Sequence, residues 1–129
     1  NIATQEKELF NIKMSIEDKD FDVKFYDSKA RTAYEVEVNK VTGEVREYKM
    51  ELKGYEGSPN AVLGVEDVKQ IVLKEYPDAA FKAVRLDVDK ETGLKEYDVK
   101  FSTKAVIGDY DINPENGQVV EKDIRYIGK

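Results

Sequence analysis

Residues 21–25 read FDVKF, and residues 97–101 repeat the pattern as YDVKF. Each pentapeptide is followed at a similar distance by a glycine turn, TGEV at residues 42–45 and NGQV at residues 116–119. Because the flanking turns agree as well as the pentapeptides, the pattern indicates an internal duplication. The sequence therefore predicts two small structural units in one chain.

Alternating apolar and polar residues predict four strands in the first unit, residues 1–53. A period of two is typical of strands with one buried face, and short polar connections favour an antiparallel meander. We expect a linker at residues 54–60, GYEGSPN. The apolar positions of the four strands are Phe10, Ile12, Met14 and Ile16, then Phe21, Val23 and Phe25, then Tyr34, Val36 and Val38, then Tyr48, Met50 and Leu52.

The second unit, residues 61–129, begins with a helical pattern. Apolar residues recur at a spacing of three and four from Val65 to Tyr76, and Pro77 ends the run, so we predict a helix at residues 65–76. Four more strands are predicted at residues 81–88, 95–101, 105–112 and 118–127. The expected fold class is α+β, with two repeats of a four-stranded antiparallel meander, the second preceded by one amphipathic helix packed on the sheet.

The first unit lacks a helix to cover its sheet. An uncovered apolar face marks an interaction surface, so we predict such a surface from six residues of the first two strands. The face would be covered by the second unit, by a second copy of the chain in a homodimer, or by a short helix at residues 1–8, the remains of a connection to a missing first helix. The six residues are Phe10, Ile12, Met14, Phe21, Val23 and Phe25.

Composition excludes several classes of function. The net charge is −6, which disfavours binding to nucleic acid phosphates. The chain has neither Cys nor His, and so lacks the commonest zinc ligands and the thiol and imidazole nucleophiles. No segment approaches the roughly 20 apolar residues of a membrane span. We predict no catalytic residues, no cofactor and no metal.

Asp109, Asp111 and Asn113 have the spacing of the first three calcium ligands of an EF-hand. However, Pro114 stands where that loop needs glycine, and Val120 where it needs glutamate. The alternating Asp residues are therefore interpreted as the solvent face of a strand.

Two other groups of residues leave alternatives open. The 27 acidic residues could include a glycosidase pair, but lysines and arginines interleave with them, so cross-strand ion pairs account for them without an active site. The tyrosines on strands form either the rim of a core or a binding stripe. These tyrosines are Tyr34, Tyr48, Tyr97, Tyr110 and Tyr126.

The order of these elements resembles the PepSY domain. The segment YEVEV at residues 34–38 runs into TGEV at residues 42–45, similar to the end of that domain, and the segment VEDVKQIVLKEYP at residues 65–77 lies where the family has its helix. The resemblance covers nearly the whole chain as a tandem pair whose first copy lacks its helix. The sequence departs from the family at residues 113–117, NPENG, and at Val68 and Val72, where small residues are common.

The resemblance implies a non-enzymatic, extracytoplasmic bacterial module, such as a lipoprotein fragment of the cell envelope. It would bind, and inhibit or regulate, a secreted protease or a cell-wall hydrolase. Two alternatives remain at this point. One is a structural or assembly module that self-associates through its exposed sheet, and the other is an enzyme that acts through carboxylates.

Overall fold

A computed structural model describes residues 9–16 and 20–127, with side chains from residue 20 onward. The described elements are eight strands and one helix. In chain order they are β1 (Leu9–Ile16), β2 (Asp20–Asp27), β3 (Thr32–Asn39), β4 (Val45–Leu52), α1 (Val65–Glu75), β5 (Ala80–Val88), β6 (Lys95–Ser102), β7 (Val106–Ile112) and β8 (Val119–Tyr126).

All eight strands belong to one antiparallel sheet, in the order β1-β2-β3-β4-β8-β7-β6-β5. The predicted fold of two separate four-stranded meander repeats is therefore wrong, although the class remains broadly α+β. The two parts of the sheet join where β4 pairs with β8, with Tyr48 opposite Ile124 and Met50 opposite Lys122. Pairing two strands that would otherwise be edges satisfies their backbone N–H and C=O groups, which explains why the sheet is continuous.

Strands on both sides of the predicted linker at residues 54–60 belong to the same sheet. The division of the chain into units at 1–53 and 61–129 stays a prediction. The predicted connection and short helix at residues 1–8 lie outside the described residues.

Helix α1 agrees with the predicted helix to within one residue. The Gly64 N–H donates to the Asp67 carboxylate at 2.8 Å, which satisfies one free donor of the first turn, and Pro77 prevents continuation beyond Tyr76. The helix lies over β5 and β6 and buries Val68 and Val72 completely. Around them lies the described hydrophobic core of Tyr97, Val99, Phe101, Val106, Tyr110, Ile112, Val120 and Ile124.

The segment between β4 and α1 is anchored by Ser58. Its backbone pairs with Lys95 in an isolated bridge, and its hydroxyl donates to the Asn113 side-chain oxygen at 2.8 Å. The Tyr55 hydroxyl lies 2.8 Å from the same Ser58 oxygen, and Ser58 is only 4% exposed. The segment is thus fixed to the start of β6 and to the loop that follows β7.

Ser58→Ala is expected to lower the free energy of unfolding by about 1–2 kcal/mol, because the Asn113 and Tyr55 polar groups lose a buried partner. Urea denaturation followed by far-UV circular dichroism measures this change. Ser28→Ala, in the β2–β3 turn, is the control and should leave the midpoint unchanged. Equal midpoints for the two variants would show that the Ser58 hydroxyl contributes nothing.

Candidate protein-binding surface

One face of the sheet is apolar from β2 to β5. Residues directly opposite each other in antiparallel strands share a face, so the register traces rows across the sheet. One row is Val23, Val36, Tyr48, Ile124, Gly108, Phe101 and Phe81. The next is Phe25, Tyr34, Met50, Lys122, Tyr110, Val99 and Val84. Both rows lie on the face that α1 partly covers.

The part of this face on β2, β3 and β4 has no helix over it among the described residues. We call it the apolar surface and define it as Phe21, Val23, Phe25, Tyr34, Val36, Val38, Tyr48 and Met50. Each of these side chains is half-buried, whereas the apolar residues beneath α1 are buried. A contiguous apolar patch of this kind is a feature of interaction sites.

Three aromatic rings form the centre of the apolar surface. The rings of Phe25 and Tyr34 are stacked, with centroids 5.0 Å apart and planes at 17°. The Tyr48 ring follows at 6.3 Å from that of Tyr34 and packs against the core beneath α1. The surface is therefore continuous with the hydrophobic core and is rigidly supported along one side.

Lys122 lies at the border between the part of the apolar face that α1 covers and the part that it leaves uncovered. Its ammonium group pairs with the Glu75 carboxylate at the end of α1 at 3.2 Å and sits 5.1 Å from the centre of the Tyr110 ring. The Tyr110 hydroxyl donates a short hydrogen bond to Glu75, and burial, followed by that bond, raises the pKa of Tyr110. This polar group holds the C-terminal end of the helix on the sheet.

The structure places Phe21, Val23 and Phe25, three of the six predicted surface residues, on the apolar surface. The side chains of Phe10, Ile12 and Met14 lie outside the described residues. The β1 backbone is described and pairs with β2, with Met14 opposite Val23. The role of all six residues in binding stays a prediction.

The opposite face of the sheet is polar and rich in carboxylates. We call one set of in-register residues the carboxylate row: Glu51 lies opposite Glu121, Glu121 opposite Asp111, and Asp111 opposite Asp98. Burial, and then the charges of Glu96, Glu121 and Asp98, raises the pKa of Asp111 to about 8. Burial, followed by the Glu51 charge, raises the pKa of Glu121.

Asp98, Asp109 and Asp111 bring carboxylate oxygens within 4.8 Å of one another, close enough to be considered as hard-cation ligands. The Lys100 ammonium already lies 2.6 Å from Asp109 and 3.4 Å from Asp98, so a lysine supplies the positive charge there. Asp109 and Asp111 belong to strand β7, and residues 109–113 therefore do not form an EF-hand loop.

An open depression of about 450 Å³ lies along β2, β3, β4 and β8. Most of its lining residues belong to the polar face and carry both signs of charge, including Lys24, Glu35, Lys49 and Asp123. The Lys49 ammonium lies 3.7 Å from Glu47 on the same strand. The mixture agrees with the interpretation of these charges as ion pairs on a solvated face.

The tyrosines divide between the two interpretations left open by the sequence. Tyr97 and Tyr110 are buried in the core, and Tyr126 is 43% exposed. Tyr34 and Tyr48 lie half-buried on the apolar surface. Alternation alone placed all five on strands, but only the position of α1 separates the core tyrosines from the surface ones.

Residues 62–123 match the model of the PepSY family, described as the peptidase propeptide and YPEB domain. This PepSY segment contains α1 and β5 to β7 and most of β8, and the match confirms the resemblance for that part of the chain. That residues 1–53 form a second, helix-lacking PepSY copy stays a prediction.

No curated protein matches the chain. A crystal structure of a BLIP-like protein from Bacteroides fragilis aligns with 100% of this chain and 87% of its own, at 13% sequence identity and a TM-score of 0.35. Within residues 9–16 and 20–127, no helix has the length and hydrophobicity needed to cross a bilayer.

Proposed function

We propose that the chain is a non-enzymatic protein-binding module that regulates a secreted protease or a cell-wall hydrolase. The observation that carries the proposal is the apolar surface of β2 to β4, which adjoins a segment that matches the PepSY family. The description of that family as a peptidase propeptide domain favours a peptidase as the partner. Extracellular or cell-envelope location is part of the same proposal.

The chemistry of the apolar surface fits protein contact. Hydrophobic aromatic centres with a charged rim are typical of interaction sites, and tyrosine is enriched among their energetically important residues. The ring of Tyr34 lies between the rings of Phe25 and Tyr48, at the centre of the apolar surface. The described carboxylates lie in several pairs on the polar face. A structural role in the sheet accounts for these pairs.

The proposal is tested with a panel of bacterial secreted metalloproteases and cell-wall hydrolases. We expect the chain to bind at least one of them stoichiometrically in calorimetry and to change its activity. Val36→Lys, which puts a charge in the middle of the apolar surface, should weaken that binding about tenfold or more. Lys24→Gln on the polar face is the matched control and should bind like the unmodified chain.

Two outcomes contradict the proposal. One is the absence of binding across the whole panel, and the other is binding that Val36→Lys leaves unchanged.

Self-association through the same surface is the second candidate function, since two copies would cover each other's apolar residues. Sedimentation velocity over a hundredfold range of protein concentration distinguishes the two. A sedimentation coefficient that rises with concentration, and that Val36→Lys returns to the value of the monomer, favours assembly over the binding of a hydrolase.

A further inference from the structure

The carboxylate row crosses four neighbouring strands of the polar face. It runs from Glu51 on β4 through Glu121 on β8 and Asp111 on β7 to Asp98 on β6. Like charges directly opposite each other in a sheet are destabilising. The neighbouring row is different, since Lys24, Glu35, Lys49 and Asp123 alternate in sign across β2, β3, β4 and β8.

Positive charges stand at the two ends of the carboxylate row. Glu51 pairs with Lys53 at 3.2 Å, and Asp98 pairs with Arg85 and Lys100, each at 3.4 Å. For Glu121 and Asp111, in the middle, no lysine or arginine of the described chain lies within ion-pair distance. The negative charges of Glu121 and Asp111, in the middle of the carboxylate row, must be compensated in another way.

The charged groups that face Asp111 lie on both neighbouring strands, β6 and β8. Asp98 lies directly opposite on β6, flanked by Glu96 and by Lys100, and Glu121 lies directly opposite on β8, flanked by Asp123. On β7 itself Asp109 shares the face and is bonded to Lys100. Every group directly opposite Asp111 is thus a carboxylate.

Asp111 lies directly opposite Asp98 and Glu121, and carboxylate oxygens of Asp98, Asp109 and Asp111 lie within 4.8 Å of one another. Two carboxylates cannot hydrogen-bond without a proton between them, because an ionised carboxylate only accepts. A protonated Asp111 can therefore donate one hydrogen bond to a carboxylate on β6 or β8 and carries no charge against the others, whereas an ionised Asp111 repels its neighbours on both strands.

We propose that the Asp111 carboxyl is a proton-dependent link between β6, β7 and β8, so that the sheet loses stability as the solution rises from about pH 5 to about pH 8. The sign of this pH dependence follows from the linkage between proton binding and folding. A carboxyl that holds its proton more tightly in the folded chain than in the unfolded chain stabilises the fold fully below the unfolded pKa, near 4. That stability is lost as the pH rises through the folded pKa, about 6 for Asp109 and about 8 for Asp111.

Asp98 and Asp89 have lowered pKa values, so they change the stability in the opposite direction, but in a different range of pH. Burial alone would raise the pKa of Asp98, but hydrogen bonds from Asp109 and Lys100 lower it, and backbone hydrogen bonds lower the pKa of Asp89. Both groups are already ionised above about pH 5. They contribute nothing to the change between pH 5 and pH 8.

The test is urea denaturation of the full chain at pH 5.5 and at pH 8.5, followed by far-UV circular dichroism. We expect the ratio of folded to unfolded protein to be about tenfold larger, or more, at pH 5.5. Asp111→Asn donates a hydrogen bond at either pH and should remove most of this difference, by raising the midpoint at pH 8.5. Glu91→Gln, in the exposed β5–β6 turn, is the matched control and should keep the full difference.

Equal midpoints of the unmodified chain at the two pH values would overturn the proposal. So would an Asp111→Asn variant that depends on pH as strongly as the unmodified chain. If that variant does not fold, a carbon-13 NMR titration of the side-chain carboxyls in the unmodified chain decides. An Asp111 carboxyl that titrates between pH 6 and pH 9 supports the link, and one that titrates below pH 5 excludes it.

Discussion

Replacing Phe101 with alanine is expected to lower the free energy of unfolding by about 3–5 kcal/mol. Phe101 is fully buried and belongs to the same hydrophobic cluster as Val68 and Val72 of helix α1. Its ring makes an edge contact with Tyr110 and a tilted contact with Tyr76, with centroids 5.3 Å away in each case. Urea denaturation measures the loss, and Phe101→Leu provides a milder variant in case the alanine variant does not fold.

Gly108 lies directly opposite Phe101 on the neighbouring strand. A Cβ atom at Gly108 would lie 2.3 Å from the Phe101 ring, far inside van der Waals contact, so the glycine is required by the ring above it. Gly108→Ala alone should cost about 1–3 kcal/mol by overpacking. In the Phe101→Ala background the same change should cost much less, because the ring is absent. Additive costs in this double-mutant cycle would contradict the packing described for the pair.

Replacing Tyr34 with alanine is expected to weaken binding of the chain to its partner hydrolase by about thirtyfold or more, which is typical of a central aromatic residue in an interface. The reason is its position, since Tyr34 contacts the rings of both Phe25 and Tyr48. Titration calorimetry with the hydrolase found in the panel measures the affinity. Circular dichroism checks that the variant is folded.

Tyr126→Ala is the matched control for this experiment. Tyr126 is also a tyrosine on the apolar side of the sheet, opposite Val106, but lies outside the apolar surface and is 43% exposed. Its loss should change the affinity less than about threefold. If both variants bind equally well, the apolar surface is not the binding site.

Local features of the fold were predictable from the sequence, and the neighbours of each strand were not. Alternation gave the strands, and the spacing from Val65 to Tyr76 together with Pro77 gave the helix. The pairing of β4 with β8 has no local signature, because alternation determines which face a residue occupies but not which strand lies beside it. The sheet consequently appeared as two when it is one.

The candidate sites show the same limit. Phe21, Val23 and Phe25 could be assigned to one apolar face because they alternate within a single strand. Tyr34 and Tyr48 were recognised only as tyrosines on strands, since the contacts between their rings and that of Phe25 depend on the register of three strands. The carboxylate row was missed altogether: the alternation of Asp109 and Asp111 indicated a solvent face, but not that Glu121 and Asp98 stand opposite Asp111.

The junction between β4 and β8 has a consequence for how the polypeptide is made. Tyr48 must pair with Ile124, far along the chain, so one edge of β4 has no partner until β8 has left the ribosome. During translation the nascent β4 would present an open edge, to which other nascent chains or chaperones have access. Closing the sheet is then a late, long-range event, and we expect its loop-closure entropy to set the rate of folding.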